Sequence, residues 1–164
     1  MLVPCPVWAK VARLNQQMLL GAEYIFWLDA DALIVDLDYD LGLLMSGKGM
    51  DISQDSNGLC AGVFGIQTNR WGRELMAAWN FLGQAEGDLG NINPVLRDQA
   101  TLMLLDRMFR SVHSEISCIP VRTISNPEND HPGAFIHHDW ANNKNHDELA
   151  ADMLRRIEKE HDEH

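Results

Sequence analysis

The sequence is short of cysteine, of basic residues and of long apolar runs, and each shortage narrows what the chain can be. Its cysteines are Cys5, Cys60 and Cys118. Three thiols cannot all pair within one chain and no Cys-x-x-Cys occurs, which argues against a disulfide framework. Reduced thiols in a cytosolic setting are the simpler expectation, with the Golgi lumen the other compartment if a eukaryotic anchor has been removed. Only 13 lysines and arginines stand against 24 aspartates and glutamates, a formal net charge of −11. Nucleic acid and anionic membranes need a basic surface, so neither is expected as a partner. A phosphorylated substrate is still allowed, because a bound cation screens phosphate locally. There is no apolar run long enough for a membrane span and no basic-then-apolar signal-peptide layout. Repeats and low-complexity tracts are absent as well.

What is there suits one domain. The chain has 164 residues, 46% of them apolar, and a domain near this size buries about 68–70% of its unfolded surface. Residues 1–164 are read as a single unit, with 146–164 a C-terminal helix and solvated tail.

Pro6 suits the first turn of a helix running to about Leu20, with Val7, Val11, Leu14 and Met18 on its buried face and Gly21 as its stop. Tyr24 to Leu28 is a short aromatic-rich apolar run, expected as a strand buried on both faces. Leu33 to Val35 is a second apolar piece, Leu37 to Met45 a short helix, and Met50 to Gln54 a strand. Gly62 to Ile66 reads as a strand. Asn69 then caps a helix from Arg70 to about Phe81, with Trp71, Leu75 and Trp79 on one face. Gly83 to Asn93 reads as loop, and Pro94 opens a helix to about Arg110. Ile116 to Val121 and Ala134 to Ile136 read as strands, the latter delivering His137 and His138. Asn145 with Glu148 resembles a capping box for a last helix. Helices alternating with short buried strands predict an α/β sheet covered on both faces. Ligands then collect at the carboxyl ends of the strands.

Asp29-Ala30-Asp31 follows the first strand directly. In extended backbone, residues i and i+2 point the same way, so both carboxylates face one spot. They repel unless a cation or proton relieves them. A hard divalent ion shared with diphosphate oxygens does this well. The pair taken alone fits a turn as readily as a metal site. Asp36, Asp38 and Asp40 repeat the spacing without a preceding apolar strand and read as a solvated turn or helix start. Trp27, Trp71 and Trp79 read as core, and Gly62 as a point of close backbone approach.

Four segments together resemble the GT-A retaining galactosyl-, mannosyl- and xylosyltransferase family (glycosyltransferase family 34). They are Trp8-Ala9-Lys10 with Glu23 to Ala32, then Gly58 to Ile66 with Asn69-Arg70-Trp71. Asp98 to Leu102 and Phe135 to His138, with Ala141 and Lys144, complete them. The resemblance implies that Asp29 and Asp31 hold manganese, or magnesium, and a donor diphosphate. It implies a metal-binding role for His138, a phosphate contact for Lys144, and Asp98 and Gln99 against the transferred sugar and acceptor. A histidine beside carboxylates favours manganese. The implied partners are a nucleoside diphosphate sugar and a glycan or other hydroxyl acceptor, in a retaining transfer.

The sequence departs from the family in two places within the motifs. Cys60 stands where asparagine is usual, and Ala141 where glycine is usual. Only 28 residues precede Asp29, whereas the resembled family carries base-binding strands there. The expected fold is therefore a GT-A-like mixed sheet with flanking helices, its N-terminal nucleotide-binding strands largely missing. Exposed sheet edges would then favour a homo-oligomer. Two other readings stand beside the enzyme: a non-catalytic relative that binds metal or a partner, and an unrelated acidic domain binding calcium through its aspartates.

Overall fold

The computed structural model describes residues 8–89, 97–120, 123–125, 134–138, 151 and 154–155. Helix α1 spans Ala9–Leu19 and buries Val11, Leu14 and Met18, the face that the apolar spacing predicts. It leads into β1 (Tyr24–Leu28) and β2 (Ala32–Ile34). A hairpin follows, β3 (Met50–Asp55) and β4 (Gly58–Gln67), then helices α2 (Arg70–Leu89), α3 (Arg97–Met108) and α4 (Arg110–His113). Strands β5 (Ile116–Cys118), β6 (Ile124–Ser125) and β7 (Ile136–His138) complete the described elements.

The main sheet has the order β1-β4-β3-β5. Strand β4 runs antiparallel to both β1 and β3, while β5 is parallel to β3. A second sheet has the order β2-β7-β6, antiparallel then parallel. The mixed α/β architecture expected from the sequence is therefore present. Helices α1 and α2 cover one face of the main sheet. There Phe64 and Trp79, both fully buried, meet at 5.8 Å between ring centroids. Truncating such an aromatic costs about 3–5 kcal/mol. Behind the sheet Val63 packs with Leu44, Ile119, Phe135 and Ile136. Among the described residues this second layer is the small sheet and its neighbours rather than helices.

Four details differ from the sequence reading. Strand β1 is half-exposed along its length instead of buried on both faces. The reason is its place: among the described residues it stands at the end of the sheet order, paired with β4 alone. The helix expected over Leu37 to Met45 contracts to one 3-10 turn, Leu41–Leu44. Asp36 accepts from the Asp38 amide at 3.0 Å and Asp40 from the Gly42 amide at 2.8 Å. Such local side-chain bonds compete with helix. Helix α2 runs on to Leu89 through the stretch read as loop from Gly83. Gly83 is tolerated there because the Trp8 ring lies over it; a Cβ would stand 2.3 Å from Trp8 Cε3. The helix expected to reach Arg110 breaks at Phe109, whose backbone is extended. Asn69 does cap α2, its Oδ1 accepting from the Gly72 amide at 2.9 Å. Pro6, Pro94 and the Asn145–Glu148 pair lie outside the described residues.

Candidate active site

The site is built on an irregularity in β4. Against β3, Cys60 pairs with Ser53 and Phe64 pairs with Ile52. Ala61, Gly62 and Val63 are thereby left without partners in β3. Bulges bend a strand and re-aim its groups, and here the freed peptide groups turn to other elements. The Ala61 amide donates to Gln99 Oε1 at 3.1 Å, and the Ala61 carbonyl accepts from Lys10 Nζ at 2.9 Å. The Gly62 carbonyl accepts from the Asp29 amide at 2.8 Å. One segment of backbone thus joins α1, the end of β1 and α3.

Asp29 emerges from β1 into this cluster. Its Oδ1 accepts from Trp27 Nε1 at 2.6 Å and lies 3.0 Å from Lys10 Nζ. The same ammonium sits 2.9 Å from Asp98 Oδ2. That oxygen is buried without a hydrogen bond of good geometry, so the contact is chiefly ionic. Burial alone would pull the Lys10 pKa down. The charges of Asp98 and Asp29 outweigh it, and the ammonium is held above its usual range. The Trp27 ring adds a cation–π contact, 5.9 Å from Nζ.

His138 comes from the second sheet. Its pairing with Ala32 sets it beside the turn that carries Asp31. Nε2 lies 3.4 Å from Asp31 Oδ1 and Nδ1 lies 3.8 Å from Cys60 Sγ. Gly62 makes the room: a Cβ there would stand 2.2 Å from His138 Cε1. Burial disfavours the imidazolium, yet the Asp31 carboxylate and the Cys60 sulfur beside the ring prevail and raise its pKa to about 9. Reciprocally, the close approach of His138 lowers the pKa of Asp31.

One ligand atom each from Asp29, Asp31 and His138 falls within 4.8 Å of the others. Two carboxylate oxygens and an imidazole nitrogen make a donor set suited to a divalent ion such as manganese. Asp31 Oδ1 is buried without a hydrogen bond of good geometry, which fits an atom with a coordinate bond to make. The residues present therefore fit a metal.

The other predicted residues fall as follows. Asp98 and Gln99 are buried in the first turn of α3. Trp79 Nε1 donates to the Asp98 carbonyl at 2.9 Å and holds that turn in place. Both ends of the Gln99 amide have protein partners, since Nε2 reaches Asp55 Oδ2 at 3.5 Å. Gly62 serves close approach, by the His138 ring. His137 precedes His138 on β7, and alternation along a strand points it to the opposite face. Ala141 and Lys144 lie outside the described residues. Asp36 and Asp40 form turns, as their context predicts. Lys10 is the residue that sequence reasoning left unassigned. It is only 8% exposed on the flank of an amphipathic helix, and a lysine beside a buried stripe was the available signal.

No family model matches the sequence. Over 103 residues it is 32% identical to probable glycosyltransferase 6 of Oryza sativa subsp. japonica, covering 56% of this chain and 21% of that protein. It is 29% identical over 102 residues to glycosyltransferase 6 of Arabidopsis thaliana, covering 55% and 24%. Over 88 residues it is 27% identical to xyloglucan 6-xylosyltransferase 2 of the same plant, covering 46% and 19%. The chain thus spans about a fifth of the length of these relatives. In structure it is similar to a galactosyltransferase, LgtC, solved with donor and acceptor sugar analogs. The TM-score is 0.60 at 16% identity, over 93% of this chain and 65% of that one. GlyE, a glycosyltransferase of Streptococcus pneumoniae, gives 0.56 at 18% identity, over 81% and 38%. The chain is similar over about half its length to plant glycosyltransferases, and its fold is the GT-A fold.

Proposed function

From that relationship, we propose that this chain carries the metal end of a retaining glycosyltransferase site. The enzyme moves a sugar from a nucleoside diphosphate to an acceptor hydroxyl. The observation that carries the reading is the meeting of Asp29, Asp31 and His138, drawn from two sheets, within 4.8 Å. A structural role alone gives little reason to set two carboxylates and a histidine this close beside a glycine that admits the ring.

In this reading Asp29, Asp31 and His138 hold manganese, which when bound neutralises charge on the leaving diphosphate. Lys10 fixes Asp29 and Asp98 relative to one another. Asp98 is the group set beside the transferred sugar and acceptor. Gln99 adjoins it and ties α3 to β4. Lys144 supplies a second positive charge to the diphosphate. Among the described residues no side chain stands out as a covalent nucleophile, so attack from the face of departure is the working mechanism. Cys118 is a free, exposed thiol, and free thiols suit the cytosol. Among the described residues no helix is long and apolar enough to cross a membrane.

The test is transfer and donor hydrolysis with a panel of UDP- and GDP-sugars and manganese, comparing wild type with Asp31→Ala. Loss of at least about 100-fold in kcat is expected, the order of one electrostatic contact removed from a transition state. An Asp31→Ala variant with full activity would end this reading. Calorimetric titration with UDP and GDP separates it from a non-catalytic relative: no heat from either nucleotide with manganese favours the latter. Calcium binding that survives loss of His138 would support the acidic-domain reading instead.

A further inference from the structure

His138 is held on three sides. Asp31 lies against Nε2, the bare Cα of Gly62 lies under the ring, and the Cys60 sulfur lies 3.8 Å from Nδ1. Cys60 and His138 are 5% and 4% exposed, so this contact is buried. The thiol is itself fixed. It precedes the irregular stretch of β4, and its carbonyl accepts from Ser53 Oγ at 3.0 Å.

We infer that Cys60 is a positioning residue for the metal site, acting through His138. A histidine that gives Nε2 to a metal carries its hydrogen on Nδ1, and that hydrogen needs an acceptor. Such outer partners orient the ring, and losing one typically costs 10–100-fold in metal affinity. Among the described residues the group facing this Nδ1 is a thiol, a weak acceptor, reached by the long carbon–sulfur bond. The inference rests on the metal reading above and deepens it. The sulfur faces the ring nitrogen remote from the carboxylates, and is not itself among the three donors that converge.

The experiment measures manganese binding by the electron paramagnetic resonance of free Mn²⁺, for wild type, Cys60→Ala, Cys60→Val and Cys60→Asn. Thermal unfolding of each variant is followed alongside. Alanine and valine remove the acceptor, the second while filling the space. Asparagine restores an acceptor oxygen one bond farther out. The expectation is a loss of about tenfold in affinity for alanine and valine, and recovery to within about threefold for asparagine. A packing role alone would rank valine with asparagine, so that ranking would overturn the inference. So would alanine binding as wild type does. An intense thiolate-to-metal absorption in the Co²⁺ form, lost in Cys60→Ala, would also overturn it by making Cys60 a ligand. Failure of the wild type to bind manganese would sink the metal reading itself, and this inference with it.

Discussion

Lys10 and Asp98, 88 positions apart in the chain, form a buried ion pair at 2.9 Å that joins the first helix to the third. The same ammonium reaches Asp29, so one cation stands between two carboxylates of the candidate site. Breaking a buried pair leaves a charge uncompensated, which costs about 3–5 kcal/mol. Lys10→Met is expected to lose about 3 kcal/mol in urea unfolding, toward the low end because Asp29 is partly solvated. A double variant with Asp98→Asn recovers part of that loss. Additive losses would show that the two side chains do not couple.

Gly62→Ala is the sharpest geometric prediction. The added methyl would stand 2.2 Å from the His138 ring, so the ring must leave its place. Affinity for manganese is expected to fall at least about tenfold, while stability falls by about 1–3 kcal/mol, the usual cost of overpacking. Manganese titration of a folded Gly62→Ala protein checks both. Native affinity would mean that His138 is not a ligand.

Gln99 is predicted to matter for structure before chemistry. Its Oε1 takes the Ala61 amide, a buried group with no partner in β3. Gln99→Ala should cost about 1–3 kcal/mol, the penalty for a buried donor left unmet. Gln99→Glu keeps the acceptor and should cost less. Equal losses in denaturant unfolding would refute the role of that hydrogen bond.

The metal-free protein should lose stability in mild alkali. The pKa of His138 is raised from 6.5 to about 9 in the folded chain. Its contribution is then complete below about pH 6.5 and fades as pH rises through about 9. Asp31 is shifted the opposite way, so its share is present above its usual 3.8 and is lost on acidification. Melting temperatures with chelator between pH 6 and 10 should decline for wild type. They should stay nearly flat for His138→Gln. Parallel curves would refute the linkage.

Most elements of the fold are readable in the sequence, because apolar spacing reports burial directly. Val11, Leu14 and Met18 mark the inner face of α1, and Asn69 marks the start of α2. Asp29, Asp31 and His138 are readable as a group through their motif context, and the structure brings them together. What pattern alone conceals depends on distant partners. Gly83 reads as a helix breaker until Trp8 is found lying on it. Lys10 carries no assigned role until two carboxylates are found around it. Tyr24 to Leu28 reads as a central strand, since aromatic content does not say how many neighbours a strand has. The irregularity in β4 has no local signature, because it is defined by what β3 does opposite.

That irregularity also sets an order of events. The contacts of Ala61 and Gly62 reach Lys10, Asp29 and Gln99, spanning 51, 33 and 38 positions of chain, so none can form by local collapse. Each must wait until α1, β1 and α3 have docked on β4, and closure over such separations is slow. The site is therefore complete only once these elements have docked. In a refolding experiment, recovery of tight manganese binding should lag the return of helical signal, and so time the final docking step.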